Sequence, residues 1–248
     1  MRLFWLPTAA LWQRELIRFW REKTRVLGYV GSPLVFWLAV GAGFGNLAFF
    51  FPGALVLTVM FSAVFSTMSL IEDRREGFLL SMLVSPAPRS AMVLGKTLGA
   101  ATLAWIQGLI FLAFVPLAGF RLSLPQLAQA VAVIFLISIA FTLLGFLIAW
   151  QTGSSQGFHA IMNLLLFPLW LISGAIFPPS GAHGWIRALM MVNPLTYSLA
   201  LLRRTLDSTP QESLPSSAAG LAVTLSAAAA LFVACLLAVR RNGASSPA

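Results

Sequence analysis

The chain has 248 residues, of which 59% are hydrophobic and only 9% charged. A soluble domain carries roughly 25% charged residues, so this composition excludes a water-soluble globular protein and points to a chain that crosses a membrane several times. The net charge of +9 is mostly arginine, and the basic residues sit beside apolar runs. That placement suits lipid headgroups and membrane topology, not nucleic acid.

Met1–Gln13 imitates a signal peptide, with Arg2 followed by an apolar run. Pro7 interrupts the run and no A-x-A site precedes the charged stretch, so the segment is expected to stay on the chain. Arg14, Arg18, Arg21 and Arg25 then recur at helical spacing, with Trp12, Leu16 and Phe19 or Trp20 on a different face. Residues 1–25 are therefore expected to form an amphipathic helix lying in the membrane interface.

A spanning helix needs about 20 apolar residues. Six segments approach or meet that length: Val26–Phe44, Leu47–Ile71, Thr97–Ala118, Leu127–Trp150, Phe158–Phe177 and Ala219–Val239. None contains Asp, Glu, Lys or Arg. The first carries Gly28, Gly31 and Pro33, and only Gly45 and Asn46 separate it from the second, so these two form a tight helical hairpin. The expected fold is all-α: a polytopic membrane protein of six transmembrane helices, an N-terminal interfacial helix, and re-entrant helices between the fifth and sixth spans. It reads as one domain: residues 1–25, spans one and two over 26–71, a loop over 72–96, spans three to five over 97–177, a connection over 178–217, the last span over 218–239, and a tail over 240–248.

Basic residues orient the chain. Arg2, Arg14, Arg18, Arg21, Lys23, Arg25, Arg74, Arg75, Arg89, Lys96, Arg240 and Arg241 fall on one side, against Arg121, Arg187, Arg203 and Arg204 on the other. The positive-inside rule places both termini and the 72–96 loop in the cytoplasm of a bacterial inner membrane. Within Pro178–Ser217, Trp185–Val192 and Pro194–Leu206 read as two short apolar helices broken at Asn193-Pro194. They are too short to span and suit a re-entrant dip. Gln211–Ser217 reads as a polar turn.

The chain offers little for catalysis. Gly95-Lys96-Thr97 resembles the end of a P-loop, but Ser90 stands where the first glycine belongs and an apolar span follows. Lys96 is read as snorkelling at the edge of the third span. Gly41–Gly45 lacks dinucleotide-binding spacing and reads as helix packing or a bend. Cys235 is the single cysteine, and His159 and His183 fall on opposite sides, so no metal or cofactor site is expected. The spans hold no acid that could harvest a proton gradient. Their polar residues are Thr58, Ser62, Ser66, Thr67, Gln107, Ser138, Thr142 and Asn163. They are expected to make interhelical hydrogen bonds of about 0.6–2 kcal/mol each. Ser226, Ala230 and Ala234, and likewise Gly41 and Gly45, have the four-residue spacing that permits close approach of a second copy.

The most informative segment is Glu72–Thr97, a charged island between apolar runs. Glu72–Val84 reads as one short helix, with Phe78, Leu79, Met82 and Leu83 on one side and Glu72, Asp73, Arg75 and Glu76 near its start. Pro86 and Pro88 stop it. An apolar face with a charged rim is the anatomy of a helix-in-groove contact.

The order of motifs resembles the membrane subunit of type-2 ABC exporters, the permease family of drug, nodulation-factor and polysaccharide exporters. The matching residues are Phe51-Pro52-Gly53, Glu72-Asp73-Arg74-Arg75-Glu76-Gly77, Leu83-Val84-Ser85-Pro86 and Leu94-Gly95-Lys96. Further on they are Ser173-Gly174-Ala175-Ile176-Phe177-Pro178, Trp185 with Arg187, Asn193-Pro194-Leu195-Thr196-Tyr197, and Arg203. The short connection between the first two spans departs from the family pattern. The resemblance implies a transport subunit, not an enzyme, with no cofactor of its own. ATP would be bound by a separate ABC ATPase contacting Glu72, Asp73, Arg75, Glu76, Phe78 and Met82. A second permease copy or homologue would complete the pore, and Trp185, Asn193, Pro194 and Tyr197 would lie at the external gate. The alternative is a membrane assembly factor, channel or enzyme without an ATPase partner; intramembrane catalysis needs a nucleophile, acid–base or metal constellation that is not visible here. Nothing in the sequence names the substrate.

Overall fold

The structure, a computed structural model, describes residues 2–21, 23–207 and 215–242. Most of the expected Gln211–Ser217 turn and the end of the tail, 243–248, lie outside these residues. The described elements are helical. They are α1 (Arg2–Arg21), α2 (Lys23–Gly43), α3 (Leu47–Ser66), α4 (Ser69–Arg75), α5 (Phe78–Val84), α6 (Arg89–Leu112), α7 (Leu124–Gln151), α8 (Ser155–Trp170), α9 (Gly184–Val192), α10 (Pro194–Leu206) and α11 (Ser217–Asn242).

Five stretches are long and apolar enough to cross a membrane: Leu47–Arg75, Arg89–Leu112, Leu124–Gln151, Ser155–Ala175 and Ser217–Arg241. They fall on the second to sixth expected spans. The first expected span falls on α2 (Lys23–Gly43). The short helices α9 and α10 meet at 86°, as the Asn193-Pro194 break requires. A wide turn, Leu171–Ala175, follows α8 and kinks at Gly174 (φ 93°).

The helix starts are written in the sequence. Asn46 caps α3 by accepting from the Phe49 amide (2.9 Å), and Ser154 caps α8 by accepting from Gly157 (3.0 Å). Gln126 reaches back to the Ser123 amide (2.9 Å) at the start of α7. With no water in the hydrocarbon, each helix must satisfy its own backbone, and the buried tryptophans then tie helices together through spare carbonyl lone pairs. Trp37 donates to the Leu47 carbonyl (2.8 Å), Trp170 to Gly53 (2.8 Å) and Trp150 to Ala238 (3.2 Å).

α3 is the central helix, buried along most of its length against α2, α6 and α7. The expected bend at Gly41–Gly45 is present: Gly45 has φ 66°, and a side chain on Gly41 would strike Leu47. Gly41 therefore packs its own hairpin and is not free for a second copy. The polar residues of the spans depart from expectation in another way. Thr58, Thr67 and Ser138 bond to carbonyls three or four residues back in their own helices, while Ser62, Gln107 and Thr142 are buried with no protein partner. A hydroxyl on a helix reaches its own preceding turn more easily than a neighbouring helix.

One end of the bundle gathers the start of α2, the α4–α5 segment, the α7–α8 connection and the end of α11. Arg74 donates to the carbonyls of Trp150 (2.6 Å) and Thr152 (3.0 Å), and Arg89 to those of Val239 (3.3 Å) and Arg240 (3.1 Å). These cations complement the negative C-terminal ends of α7 and α11. The opposite end holds the α2–α3 hairpin, the α6–α7 connection and the bent pair α9–α10.

Candidate functional site

The site is built where α1 crosses α6. A side chain on Gly95 would meet the Thr8 carbonyl at 2.8 Å, and one on Gly99 would meet the Glu15 Cβ at 2.7 Å. Glycine at these two positions lets the helices touch backbone to backbone. Thr8, Leu11 and Glu15 form the buried face of α1, while Trp5, Leu6, Trp12 and Ile17 stay exposed. That exposed apolar face fits the interfacial helix expected over residues 1–25; the side chains of Arg21, Lys23 and Arg25 lie outside the description.

At this crossing lies a buried ion centre. Lys96 of α6 is 3% exposed. Its Nζ donates to Glu15 Oε1 (2.5 Å), to Ser69 Oγ (3.3 Å) and to Asp73 Oδ2. Asp73 is completely buried and also accepts a forked pair from Arg14, at 2.7 and 3.1 Å. Arg18 reaches Asp73 (3.4 Å) and pairs with Glu72 (2.5 Å). The charges of Arg14, Arg18 and Lys96 balance those of Glu15, Glu72 and Asp73. The hydrogen bonds that Arg14 donates to Asp73 hold its guanidinium above its ordinary pKa against the opposing effect of burial. Breaking a buried pair by deleting one partner costs about 3–5 kcal/mol, so this centre fastens α1 to α4 and α6.

This geometry corrects two expectations, the snorkelling lysine and the single Glu72–Val84 helix. Lys96 does not snorkel to an interface, because an acid on each of two other helices holds it inside. Gly95-Lys96-Thr97 lies within α6, so these residues form no phosphate-cradling loop. Glu72–Val84 is not one helix: Gly77 at φ 76° separates α4 from α5, a conformation that favours glycine. Glu15, an acid hidden in a basic helix, was missed by sequence reasoning. Its signal was its place on the same helical face as Thr8 and Leu11.

The expected partner-contacting residues divide accordingly. Asp73 is inside, and Glu72 is half-buried against Arg18. Phe78 lies under Arg14, with the guanidinium carbon 4.0 Å from the ring centre. Arg75 and Glu76 are exposed at the α4–α5 turn. α5 buries Leu79 and turns Leu80 (62% exposed) and Val84 (85% exposed) outward. Two grooves flank Ala10 of α1. One, of about 570 Å³, is lined by Gln13, Arg14, Ile17, Arg18 and Glu76. The other, of about 220 Å³, runs between Pro7 and Leu11 of α1 and Met82 and Ser85 of α5.

At the opposite end the four expected gate residues lie along the bent pair, Trp185 at the start of α9 and Asn193, Pro194 and Tyr197 at and just after the break. Asn193 is buried: Nδ2 donates to the Leu169 carbonyl (2.7 Å) and Oδ1 accepts from the Leu195 amide (2.9 Å). It therefore hangs the bent pair from the end of α8. Pro194 begins α10, Tyr197 donates to the Met191 carbonyl (3.0 Å), and Trp185 stands exposed on α9. Among the described residues no cluster of His, Cys, Asp and Glu could hold a metal ion.

Apolar spanning helices, a charged end with an exposed groove and a sharply bent helix pair make up a polytopic membrane protein. Residues 8–206 match the family described as ABC-2 type transporter, and the chain belongs to that family. It is similar to the putative transport permease ycf38 of Cyanophora paradoxa, at 27% identity over 77% of this chain and 71% of the relative. It is also similar to nodulation protein J of Rhizobium leguminosarum bv. trifolii, at 28% identity over 78% of this chain and 79% of the relative. A third relative is the probable doxorubicin resistance ABC transporter permease protein DrrC of Mycobacterium tuberculosis, at 23% identity over 82% of this chain and 77% of the relative. The chain is thus a transport permease; an assembly factor or membrane enzyme is not favoured.

Proposed function

We propose that this permease exports its substrate using ATP hydrolysed by a separate ABC ATPase, and that the face made by α1, the Arg75–Glu76 turn and α5 receives that subunit. The observation that carries the reading is the pairing of an exposed apolar-and-charged face with a buried ion centre directly beneath it. Leu80, Val84 and Met82 supply apolar anchors, and Arg75 and Glu76 supply rim charge. A helix-in-groove contact uses these parts. Because α1 and α4 share the ions of Lys96 with α6, a push on α5 would move α1, α4 and α6 as one piece. The excess of basic residues puts this end in the cytoplasm of a bacterial inner membrane, with both termini.

The working exporter would contain a second permease copy or a homologue. α8 supports this: Ile161, Leu164 and Phe167 are exposed along it, so much of its apolar surface is left for another chain or for lipid. Ser226 and Ala230 of α11 are exposed as well. The bent pair α9–α10, with Trp185, Asn193, Pro194 and Tyr197, would form the external gate. ATP would bind only in the partner; nucleic acid has no part.

The test is co-purification of the permease with its ATPase subunit. Glu76→Arg reverses an exposed charge, and Val84→Asp puts a charge on an exposed apolar position. Both side chains lie outside the packed core, so both variants should insert and fold. Loss of an anchor at such a contact commonly costs about 2 kcal/mol or more, so assembly and stimulated ATP turnover should fall together. Normal assembly and turnover in both variants would refute the assignment of this face.

A further inference from the structure

The hairpin end holds a buried cation that the transport reading does not use. Arg203, in the last turn of α10, is 5% exposed. Its Nη2 donates to the Phe49 carbonyl (3.3 Å), and its Cζ stands 4.4 Å from the centre of the Phe49 ring. Its Nε has no partner, and no carboxylate among the described residues is ion-paired with it. A guanidinium offers five N–H donors and keeps its charge. A buried charge with one carbonyl and one ring for company is far from satisfied, since such groups need a counter-charge or several hydrogen bonds.

The unsatisfied side chain lines a pocket of about 210 Å³ bordered by Asn46, Phe49, Pro52, Phe120 and Asp207. Asn46 already uses its Oδ1 on the Phe49 amide, which leaves its Nδ2 as a second donor. The pocket lies among the α2–α3 hairpin, the α6–α7 connection and the end of α10, at the hairpin end of the bundle. Phe44 beside it is 75% exposed, as suits a residue against lipid. We propose that this pocket binds the phosphate of a phospholipid headgroup from the leaflet at the hairpin end, with Arg203 presenting its N–H groups to two phosphate oxygens. Planar guanidinium matches phosphate in this way. A free phosphate has the same chemistry, but a pocket rimmed by Phe49, Pro52 and Phe120 at the membrane surface favours the lipid.

The test uses the full chain in mild detergent, with bound lipid counted by native mass spectrometry and unfolding followed thermally. The probes are phosphatidylglycerol, diacylglycerol with the same acyl chains, and inorganic phosphate. Wild type should retain phosphatidylglycerol and unfold at a higher temperature with it than with diacylglycerol. Arg203→Gln should weaken retention about ten-fold, the scale of a lost charge-assisted hydrogen bond. Asp207→Asn, which removes an acid from the pocket, should strengthen it, and Arg121→Gln, which changes a charge outside the pocket, should leave it unchanged. If Arg203→Gln does not fold, the lipid comparison on wild type and the Asp207→Asn variant decide the matter. Equal effects of phosphatidylglycerol and diacylglycerol, or unchanged retention in Arg203→Gln, would overturn the proposal. Protection by millimolar inorganic phosphate without lipid retention would overturn the lipid source.

Discussion

Both ends of the bundle use side chains bound to backbone carbonyls, but the α1–α4–α6 end adds an ion cluster. At the α1–α4–α6 end, ions close on one another: Lys96, Arg14 and Arg18 against Glu15, Asp73 and Glu72. At the hairpin end, side chains bind backbone carbonyls: Asn193 to Leu169, Trp37 to Leu47, Arg203 to Phe49. An ion cluster is strong only when complete, since deleting one member strands the others in a low-dielectric interior. A single amide-to-carbonyl bond contributes about 1 kcal/mol net and can be remade elsewhere. The first end is therefore built to move as a block, and the second to rearrange in smaller steps. That division suits a machine pushed at one end and opened at the other.

The largest expected effect is at the block. Asp73→Ala removes the forked acid from Arg14 and one of the two acids on Lys96, leaves Glu15 as the acid shared by both cations, and should cost about 3–5 kcal/mol. In thermal unfolding it should lower the midpoint, and hydrogen exchange should rise along α1 first. A change confined to α4, with α1 still protected, would show that the ions do not join the two helices. The paired variant Lys96→Met with Asp73→Leu should recover stability over either single change, because apolar replacement of both members of a buried pair is often neutral; Glu15 and Arg14 keep only their longer mutual contact (3.6 Å), so the recovery stays partial.

A smaller effect belongs to the bent pair. Asn193→Ala removes a cap and the tie to α8, and should cost about 1–2 kcal/mol, the usual range for a helix cap. Its exchange signature should fall on α9 and α10 and spare α1. Equal loosening at both ends would erase the contrast. Smaller still, Thr58→Val and Ser138→Ala should each change stability by less than about 1 kcal/mol, because both hydroxyls bond only within their own helices. A markedly larger loss would reveal an interhelical role.

The side on which the block lies is a separate question. Single cysteines at Ser90 and at Ser180 should label from opposite faces, Ser90 from the cytoplasm, when a membrane-impermeant reagent is applied to intact and to opened cells. Labelling of Ser90 from outside would invert the assignment of the two ends.

Much of this architecture was legible in the chain. Apolar length set four spans to within a few residues, while the span expected over Thr97–Ala118 runs instead over Arg89–Leu112; Asn193-Pro194 and Gly45-Asn46 marked the two sharp bends, because local backbone chemistry decides such features. The ion centre was not legible, because its members are far apart: Lys96 and Glu15 are 81 residues apart, and Arg14 and Asp73 are 59 apart. A lone lysine at the edge of an apolar run reads locally as a snorkelling residue, and only the crossing of α1 over Gly95 and Gly99 brings its acids to it. The Glu72–Val84 helix failed for a different reason. Its periodicity continues across Gly77, but the backbone there turns to positive φ and sends α5 away from α4.

If the ion centre joins them, α1 travels with α6. Thr8 Oγ1 lies 3.3 Å from the Ala91 carbonyl, so the two backbones run close, and cysteines at Thr8 and Ala91 are the pair to test for an oxidative cross-link between the two helices. ATP turnover by the assembled exporter should be the same cross-linked as reduced, because the bond joins parts that do not separate. Turnover lost on oxidation and restored by reductant would show that α1 slides over α6 during the cycle, and would contradict the account.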